Sequence, residues 1–258
     1  MHMKLTASVK RPVRLLWFAL RNQFYRVFGY ADYKKFIIIT RSRTGSNLLV
    51  SLLDSHPQTE AFGEMFNLLH GRKSEWVWES IFGYKSRSTK LVGFKIFYYH
   101  PADSDDTWVW DRVINDKNIP IIHLKRDNVL RTYLSRQIAA KTKVWHDKSG
   151  KSAVDLTDKR VTLSPSDCIE EFKKTEDWVS TTAKKLEGHK TLNITYSDLT
   201  GDNQKQTLNS IQSFLGVKPI SLSSGMKKQN TERLQDLIKN YKEIENSLQG
   251  TPWERFLK

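Results

Sequence analysis

A loop of basic and small residues follows an apolar run in FIIITRSRTGSNLLVSLLDSHP, residues 36–57. In this loop Arg43 offers a planar positive charge, and Gly45 lets a ligand approach the backbone closely. Ser46 and Asn47 add side-chain donors where a helical pattern begins. A strand, a small loop and an open helix N-terminus together can bind a phosphate-like anion. The alternative is an ordinary strand-to-helix turn.

A second apolar run also leads into basic residues and a helical pattern, in IPIIHLKRDNVLRTYLSRQIAAKTKVW, residues 119–145. Arg126 lies just before the predicted helix, and Ser135, nine residues later, lies well along it. Taken singly, these are a surface arginine and a helix serine. Taken with the first loop, they predict a ligand that carries two separate phosphate groups, one at each strand–helix junction.

Several functional classes are disfavoured by signatures that the sequence lacks. Neither GxxxxGK[ST] nor GxGxxG occurs, which disfavours a magnesium-assisted nucleoside-triphosphate enzyme. The one cysteine, Cys168, excludes an internal disulfide framework and a cysteine-cluster zinc site. The net charge of +14 predicts an acidic partner, which could be nucleic acid, anionic lipid, a phosphorylated cofactor or an anionic glycan.

Strand and helix patterns alternate along the chain, which is typical of a parallel sheet with crossover helices. A length of 258 residues fits one α/β domain with a mainly parallel central sheet flanked by helices. The predicted strands span 36–40, 91–97, 119–124 and 191–196. The predicted helices span 46–55, 128–141, 166–187, 204–214 and 231–248.

Residues 1–33 are predicted to form a basic, amphipathic arm ahead of a domain that spans 34–258. One alternative is that the arm packs on its own domain, and the other is that residues 10–28 contact an anionic membrane surface. Arginines interrupt its apolar run, so a membrane-spanning helix is not predicted. The expected location is the cytoplasm or the cytoplasmic face of the membrane. The basic residues on one face of the arm are Lys10, Arg14 and Arg21.

The two anion-binding segments, in this order and spacing, resemble those of sulfotransferases that use 3′-phosphoadenosine 5′-phosphosulfate (PAPS). The similarity is to the bacterial carbohydrate and nodulation-factor branch and extends from about residue 34 to the end. It implies a P-loop-like loop for the 5′-phosphosulfate, a second segment for the 3′-phosphate, and a tyrosine in ITYSDLT near the adenine. The matching residues are Arg43, Thr44, Gly45, Ser46 and Asn47 in the loop, Arg126 and Ser135 in the second segment, and Tyr196.

The resemblance implies sulfuryl transfer from PAPS to a hydroxyl, with 3′-phosphoadenosine 5′-phosphate (PAP) as product and no metal required. Such a transfer needs cations near the sulfuryl group and a base for the acceptor proton. Arg43 and Lys95 are the expected catalytic cations. The alternative for Lys95, in VGFKIFYY, is a sheet edge where its ammonium reaches water. Glu64, in AFGEMFN, is the expected base, and His56 and His100 are the alternatives.

The expected acceptor is a carbohydrate or glycolipid, which follows from the branch of the family that the sequence resembles. Two other classes remain as alternatives: a P-loop-like nucleotide-dependent kinase and a non-enzymatic nucleic-acid-binding protein. No helix-turn-helix, RRM or zinc signature is present, and the basic residues are spread along the chain. A nucleic-acid partner is therefore not expected.

Overall fold

The computed structural model describes Leu20, Tyr25 and residues 29–145, 154–226 and 230–258. Five strands form one parallel sheet in the order β2–β3–β1–β4–β5. They span Lys34–Thr40 (β1), Thr59–Phe62 (β2), Leu91–Phe97 (β3), Ile121–Lys125 (β4) and Thr191–Thr195 (β5). The predicted α/β class with a parallel central sheet is confirmed.

Helices connect these strands and flank the sheet in the described part of the chain. They span Ser46–Ser55 (α1), Ser74–Ile81 (α2), Trp108–Asn115 (α3), Val129–Thr142 (α4), Leu156–Lys159 (α5), Pro165–Lys185 (α6), Tyr196–Thr200 (α7), Gln204–Leu215 (α8), Leu234–Leu237 (α9) and Tyr241–Leu248 (α10). A 3₁₀-helix over Glu254–Leu257 follows them.

The central strand β1 is buried on both faces, which explains its continuous apolar run. Ile38 packs with Leu49 of α1 in one hydrophobic cluster. Ile37 and Ile39 point to the opposite face and join a second cluster that includes Val77 of α2. Because helices cover both faces, the carboxyl-end edge of the sheet remains the open place for a ligand.

Local capping fixes where the helices near that edge begin. The side-chain oxygen of Asn128 accepts a hydrogen bond from the backbone N–H of Arg131 at 2.9 Å and so starts α4. Thr195 and Asp198 form a capping box at the start of α7. These caps set the rotation of each helix and thereby the direction in which its side chains point.

The predicted helix 231–248 is wrong, because it is two helices separated by an extended segment. Ile238 pairs with Val161 in a parallel β-bridge, and the backbone N–H of Lys239 donates to the Val161 carbonyl at 2.8 Å. This long-range pairing replaces the hydrogen bonds that a continuous helix would make. Strand 191–196 also ends one residue earlier than predicted, because Tyr196 begins α7.

The predicted arm lies mostly outside the described residues. Within 10–28 only Leu20 and Tyr25 are described, so the two alternatives for the arm stay predictions. Among the residues that are described, no helix is both long enough and apolar enough to cross a membrane.

Candidate active site

The candidate active site is a cavity of about 810 Å³ at the carboxyl ends of β1, β3 and β4. The direction of the chain through the sheet reverses beside β1. From β1 the chain moves outward to β2, returns to β3, and then crosses to β4 and β5. In open α/β sheets, ligands bind outside the strand ends at such a reversal.

Hydrogen bonds of two threonine side chains fix the loop after β1. Oγ1 of Thr40 donates to the carbonyl of Leu124 at 2.6 Å and lies 2.7 Å from Oγ1 of Thr44. The side chain of Thr44, predicted to bind the cofactor, is therefore buried under the loop and does not line the cavity. Arg43 and Gly45 have φ angles of 67° and 84°, which turn the loop tightly into α1.

Tyr196 connects the two predicted anion-binding junctions. Its ring packs so closely on Gly45 that a Cβ at this position would lie 2.6 Å from Cδ2 of the tyrosine. The guanidinium group of Arg126 lies 4.5 Å from the centre of the same ring. The absence of a side chain at Gly45 thus allows the loop, the ring and the arginine to stack together.

The predicted residues Arg43, Arg126 and Ser135 also meet directly. Nε of Arg43 donates to Oγ of Ser135 at 2.9 Å, and Nη1 of Arg126 donates to the carbonyl of Arg43 at 3.0 Å. Sequence reasoning missed two further members. Nδ2 of Asn230 donates to Ser135 at 3.1 Å, and the carbonyl of Trp145 accepts from Arg43 at 2.8 Å. Asn230 lies 95 residues from Ser135, so no local pattern could have indicated it.

The two arginines are buried enough that their environment weakens their charged forms. Burial lowers the pKa of Arg126 to about 10, and it also lowers the pKa of Arg43. With a pKa of about 10, Arg126 remains charged at neutral pH. In the described protein no carboxylate forms an ion pair with Arg126. An anionic ligand would supply the compensating charge.

Lys95 and Glu64 form an ion pair beside the start of α1. Nζ of Lys95 lies 2.9 Å from Oε1 of Glu64 and 3.3 Å from Oγ of Ser46, and it donates to Oδ1 of Asn47. The sheet-edge alternative for Lys95 is wrong, because β3 is an interior strand and the side chain is only 1% exposed. Burial lowers the pKa of Lys95, and Glu64 partly offsets this effect.

His56, an alternative base, lies at the far end of α1 and does not line the cavity. Ten helical residues separate it from the anion-binding end, a distance of about 15 Å. Its Nδ1 accepts from the backbone N–H of Gln58 at 3.1 Å, and its Nε2 lies 3.2 Å from the carbonyl of Lys218. His56 therefore ends α1, and both of its ring nitrogens are engaged in contacts within the fold.

His100, the other alternative base, is buried and does not line the cavity. Its side chain is 3% exposed, and its Nδ1 accepts from the backbone N–H of Phe97 at 3.3 Å. Burial lowers the pKa of His100 to about 4, although Glu64 acts in the opposite direction. An imidazole with this pKa is neutral at pH 7 and a weaker base than an ordinary histidine.

The same cavity is also lined by Asn67, Tyr99, Trp145 and Arg136. Nη2 of Arg136 pairs with Oε2 of Glu171 at 2.6 Å, and Glu171 also pairs with the buried guanidinium group of Arg41. Glu171 thus connects α4 and α6 to the first residue after β1. The separation of 130 residues between Arg41 and Glu171 explains why the sequence did not reveal this bridge.

Two acidic residues near α2 accept hydrogen bonds from backbone N–H groups. Asp103 accepts from the backbone N–H groups of Leu69 and His70 at 2.7 and 2.8 Å. Asp106 accepts from the N–H of Ser74 at 3.2 Å. In the described ranges, no group of three or more His, Cys, Asp or Glu side chains is arranged to hold a metal ion.

Comparison with known proteins identifies the family of this chain. A sequence profile of the Stf0 sulphotransferase family matches residues 67–244. Nodulation protein H of Rhizobium tropici is 27% identical over 241 residues, which cover 86% of this chain and 92% of the relative. A crystal structure of a sulfotransferase from Alicyclobacillus acidocaldarius aligns with a TM-score of 0.48 and 13% identity, covering 87% of this chain and 96% of that one. Because the profile matches more than half of its length, the chain belongs to the Stf0 sulphotransferase family.

Proposed function

We propose that this protein transfers the sulfuryl group of PAPS to a hydroxyl of a carbohydrate or glycolipid and releases PAP. One observation carries the proposal: the half-buried guanidinium groups of Arg43 and Arg126 share a cavity with the Lys95–Glu64 pair. Two cations suit a donor with two anionic ends, and a carboxylate beside an ammonium group suits proton removal beside a developing negative charge. Family membership supports the sulfuryl transfer itself.

The donor would bind along the edge between β1 and β4. Backbone N–H groups at the start of α1, together with Ser46 and Asn47, would bind the 5′-phosphosulfate. Arg126 and Ser135 would bind the 3′-phosphate, and Tyr196 would lie beside the adenine. This assignment is supported by the hydrogen bonds that already hold Arg43, Ser135 and Arg126 in one cluster.

In the transfer step, the acceptor oxygen forms a bond to sulfur while the bond from sulfur to the bridging phosphate oxygen breaks in line. Glu64 accepts the proton of the acceptor hydroxyl. Lys95 stabilises the negative charge that the bridging oxygen gains, and Arg43 stabilises the sulfuryl oxygens. The products are a sulfate monoester and PAP, so atoms and charge balance without a metal or a redox partner.

The acceptor would bind in the same cavity as the donor. Tyr99 and Trp145 present rings that can stack on a sugar face, and Asn67 offers both a donor and an acceptor for sugar hydroxyls. A carbohydrate acceptor is also consistent with the similarity to a protein named for nodulation.

The division into an arm of residues 1–33 and a catalytic domain of residues 34–258 belongs to the same proposal. So do a cytoplasmic location and contact of residues 10–28 with the membrane face. These features follow from the charge and apolar pattern of the sequence.

The donor assignment is tested by thermal unfolding of the full chain with PAP, AMP or ATP, each with and without magnesium. PAP at about 100 times its dissociation constant should stabilise the fold by roughly 2.7 kcal/mol, whereas AMP lacks the second phosphate and should stabilise it less. Transfer of ³⁵S from labelled PAPS to a panel of soluble oligosaccharides tests the reaction. Stronger stabilisation by magnesium-ATP than by PAP would instead support a nucleotide-dependent kinase and overturn the proposal.

A further inference from the structure

His100 has a fixed tautomer that leaves its second nitrogen as a hydrogen-bond donor. Because the backbone N–H of Phe97 donates to Nδ1, this nitrogen carries a lone pair and the ring proton resides on Nε2. Nε2 is fully buried and has no hydrogen-bond partner among the described residues. A buried N–H group without an acceptor is unfavourable, so its retention calls for a partner that arrives during function.

The carboxylate of Glu64 is the candidate acceptor for this donor. The charged groups that act on the His100 ring are Glu64, from the loop after β2, and Lys95, from β3. The ammonium group of Lys95 has no lone pair to accept a hydrogen bond. On Glu64, Oε1 pairs with Lys95, so Oε2 is the carboxylate oxygen that this ion pair leaves for another donor within the described ranges.

The Phe97 ring lies between Lys95 and His100 and contacts both side chains. Nζ of Lys95 lies 5.1 Å from the centre of the Phe97 ring, and the Phe97 and His100 rings are 4.7 Å apart. On the other side, the carbonyl of His100 accepts from Nε1 of Trp110 at 2.7 Å. His100 is therefore clamped at its backbone and at Nδ1, and only Nε2 remains to act on the site.

We propose that His100 is a positioning residue for the base: its Nε2–H donates to Oε2 of Glu64 and directs that carboxylate to the acceptor hydroxyl when Lys95 turns to the donor. The inference rests on the proposed function, in which Glu64 is the base. Lys95 holds Glu64 in the unliganded protein, whereas the bridging oxygen of the donor competes for the same ammonium group. His100 takes over the carboxylate at that moment and remains neutral, consistent with its pKa of about 4.

The test compares His100→Ala, which removes the donor, with His100→Gln, whose amide retains an N–H group in nearly the same place. His56→Gln is the matched control, since His56 is a buried histidine of the same tautomer away from the cavity. For His100→Ala we expect kcat with PAPS to fall roughly tenfold. The acidic limb of its pH profile should move upward by about 0.5–1 pH unit, because an ionised base that loses a donor takes up its proton more readily. His100→Gln should recover most of the parental kcat and most of the parental pH profile. PAP affinity should not change in either variant.

A spectroscopic measurement keeps the test independent of turnover. With ¹⁵N-histidine and PAP bound, the Nε2–H signal of His100, assigned by its loss in His100→Gln, should persist from pH 5.5 to 8 and shift in Glu64→Ala. A parental pH profile for His100→Ala, or a His100 signal unaffected by Glu64→Ala, would overturn the inference while PAP binding and sulfuryl transfer remain intact. If the parental protein does not bind PAP, this result would instead count against the proposed function.

Discussion

The two halves of the cavity differ in whether their charged side chains are paired with opposite charges. In the donor half, formed by Arg43, Arg126, Ser135 and Tyr196, the described contacts of Arg126 are to a carbonyl and an aromatic ring. In the catalytic half, Lys95 pairs with Glu64, and the neighbouring Arg136 pairs with Glu171. Under the proposed function, an anionic donor would complete the donor half, whereas the charged groups of the catalytic half are already paired and would have to separate for reaction.

The largest effect should come from removing the base in the catalytic half. Glu64→Gln retains size and hydrogen bonding but cannot accept the proton, so we expect kcat to fall by about 10³ while PAP affinity changes little. Steady-state transfer and calorimetric titration with PAP measure these two quantities. The exposed Glu75→Gln on α2 is the control. An active Glu64→Gln beside an inactive His56→Asn would reassign the base.

The donor half should show a different division between binding and turnover. Arg43→Ala should lose about 3 kcal/mol of transition-state stabilisation, as expected for one charge-stabilising donor. Arg126→Ala should mainly weaken PAP binding, by about 30-fold, through loss of a charged hydrogen-bond donor. Parental kinetics in both variants would contradict the assignment of this half, and the exposed Arg87→Ala provides the comparison.

Glu171 should matter for stability in a pH-dependent way. Burial would raise its pKa, but the guanidinium groups of Arg41 and Arg136 outweigh this effect and hold the pKa below the usual 4.5. A depressed carboxyl pKa contributes stability above the unfolded value, and that stability is lost as the pH falls through the folded value. Glu171→Gln should therefore reduce the free energy of unfolding at pH 7 by about 2 kcal/mol, less than for a fully buried pair because Arg136 is partly exposed.

Urea unfolding at several pH values checks this expectation. The difference between the parental protein and Glu171→Gln should shrink as the pH falls below about 4.5, where the carboxyl group of the unfolded chain is protonated first and that of the folded protein follows at lower pH. The exposed neighbour Glu170 provides a matched control, Glu170→Gln. A difference that stays constant with pH would show that packing, and not the ion pair, explains the destabilisation.

The smallest effect on catalysis is expected from the arm. If residues 10–28 contact a membrane, each of Lys10, Arg14 and Arg21 should add about 1 kcal/mol to binding of vesicles with 30% phosphatidylglycerol, and salt should weaken it. Co-sedimentation of the full chain with and without triple Gln substitution measures this. Equal binding by both proteins would favour an arm that packs on its own domain.

Sequence reasoning was most successful where short segments carry both the pattern and the chemistry. The spans 46–55 and 91–97 were predicted to the residue, because an apolar period and flanking polar residues mark both ends. The two strand–helix junctions that contain Arg43, Arg126 and Ser135 were recognised from their basic and small residues, and the parallel sheet places such junctions along one edge. Short elements with weak periodicity, such as β2 and α3, were not predicted.

What the sequence could not supply were the contacts between distant segments. Asn230 reaches Ser135, Glu171 reaches Arg41, and Ile238 interrupts a predicted helix by pairing with Val161. Each contact depends on how the finished fold brings together residues that are far apart in the chain. Lys95 shows the same limit: a lysine in an apolar strand indicated two environments, and only the strand order decided between them.

The interior position of Lys95 has a consequence for how such a protein can diversify. Its ammonium group is held by the register of β3 against β1, where Lys95 lies opposite Ile38. The groups proposed to contact the acceptor, Asn67, Tyr99 and Trp145, lie on connecting segments outside the strands. Under the proposed function, mutation of those segments would change which acceptor is recognised while the Lys95 ammonium group stays in place.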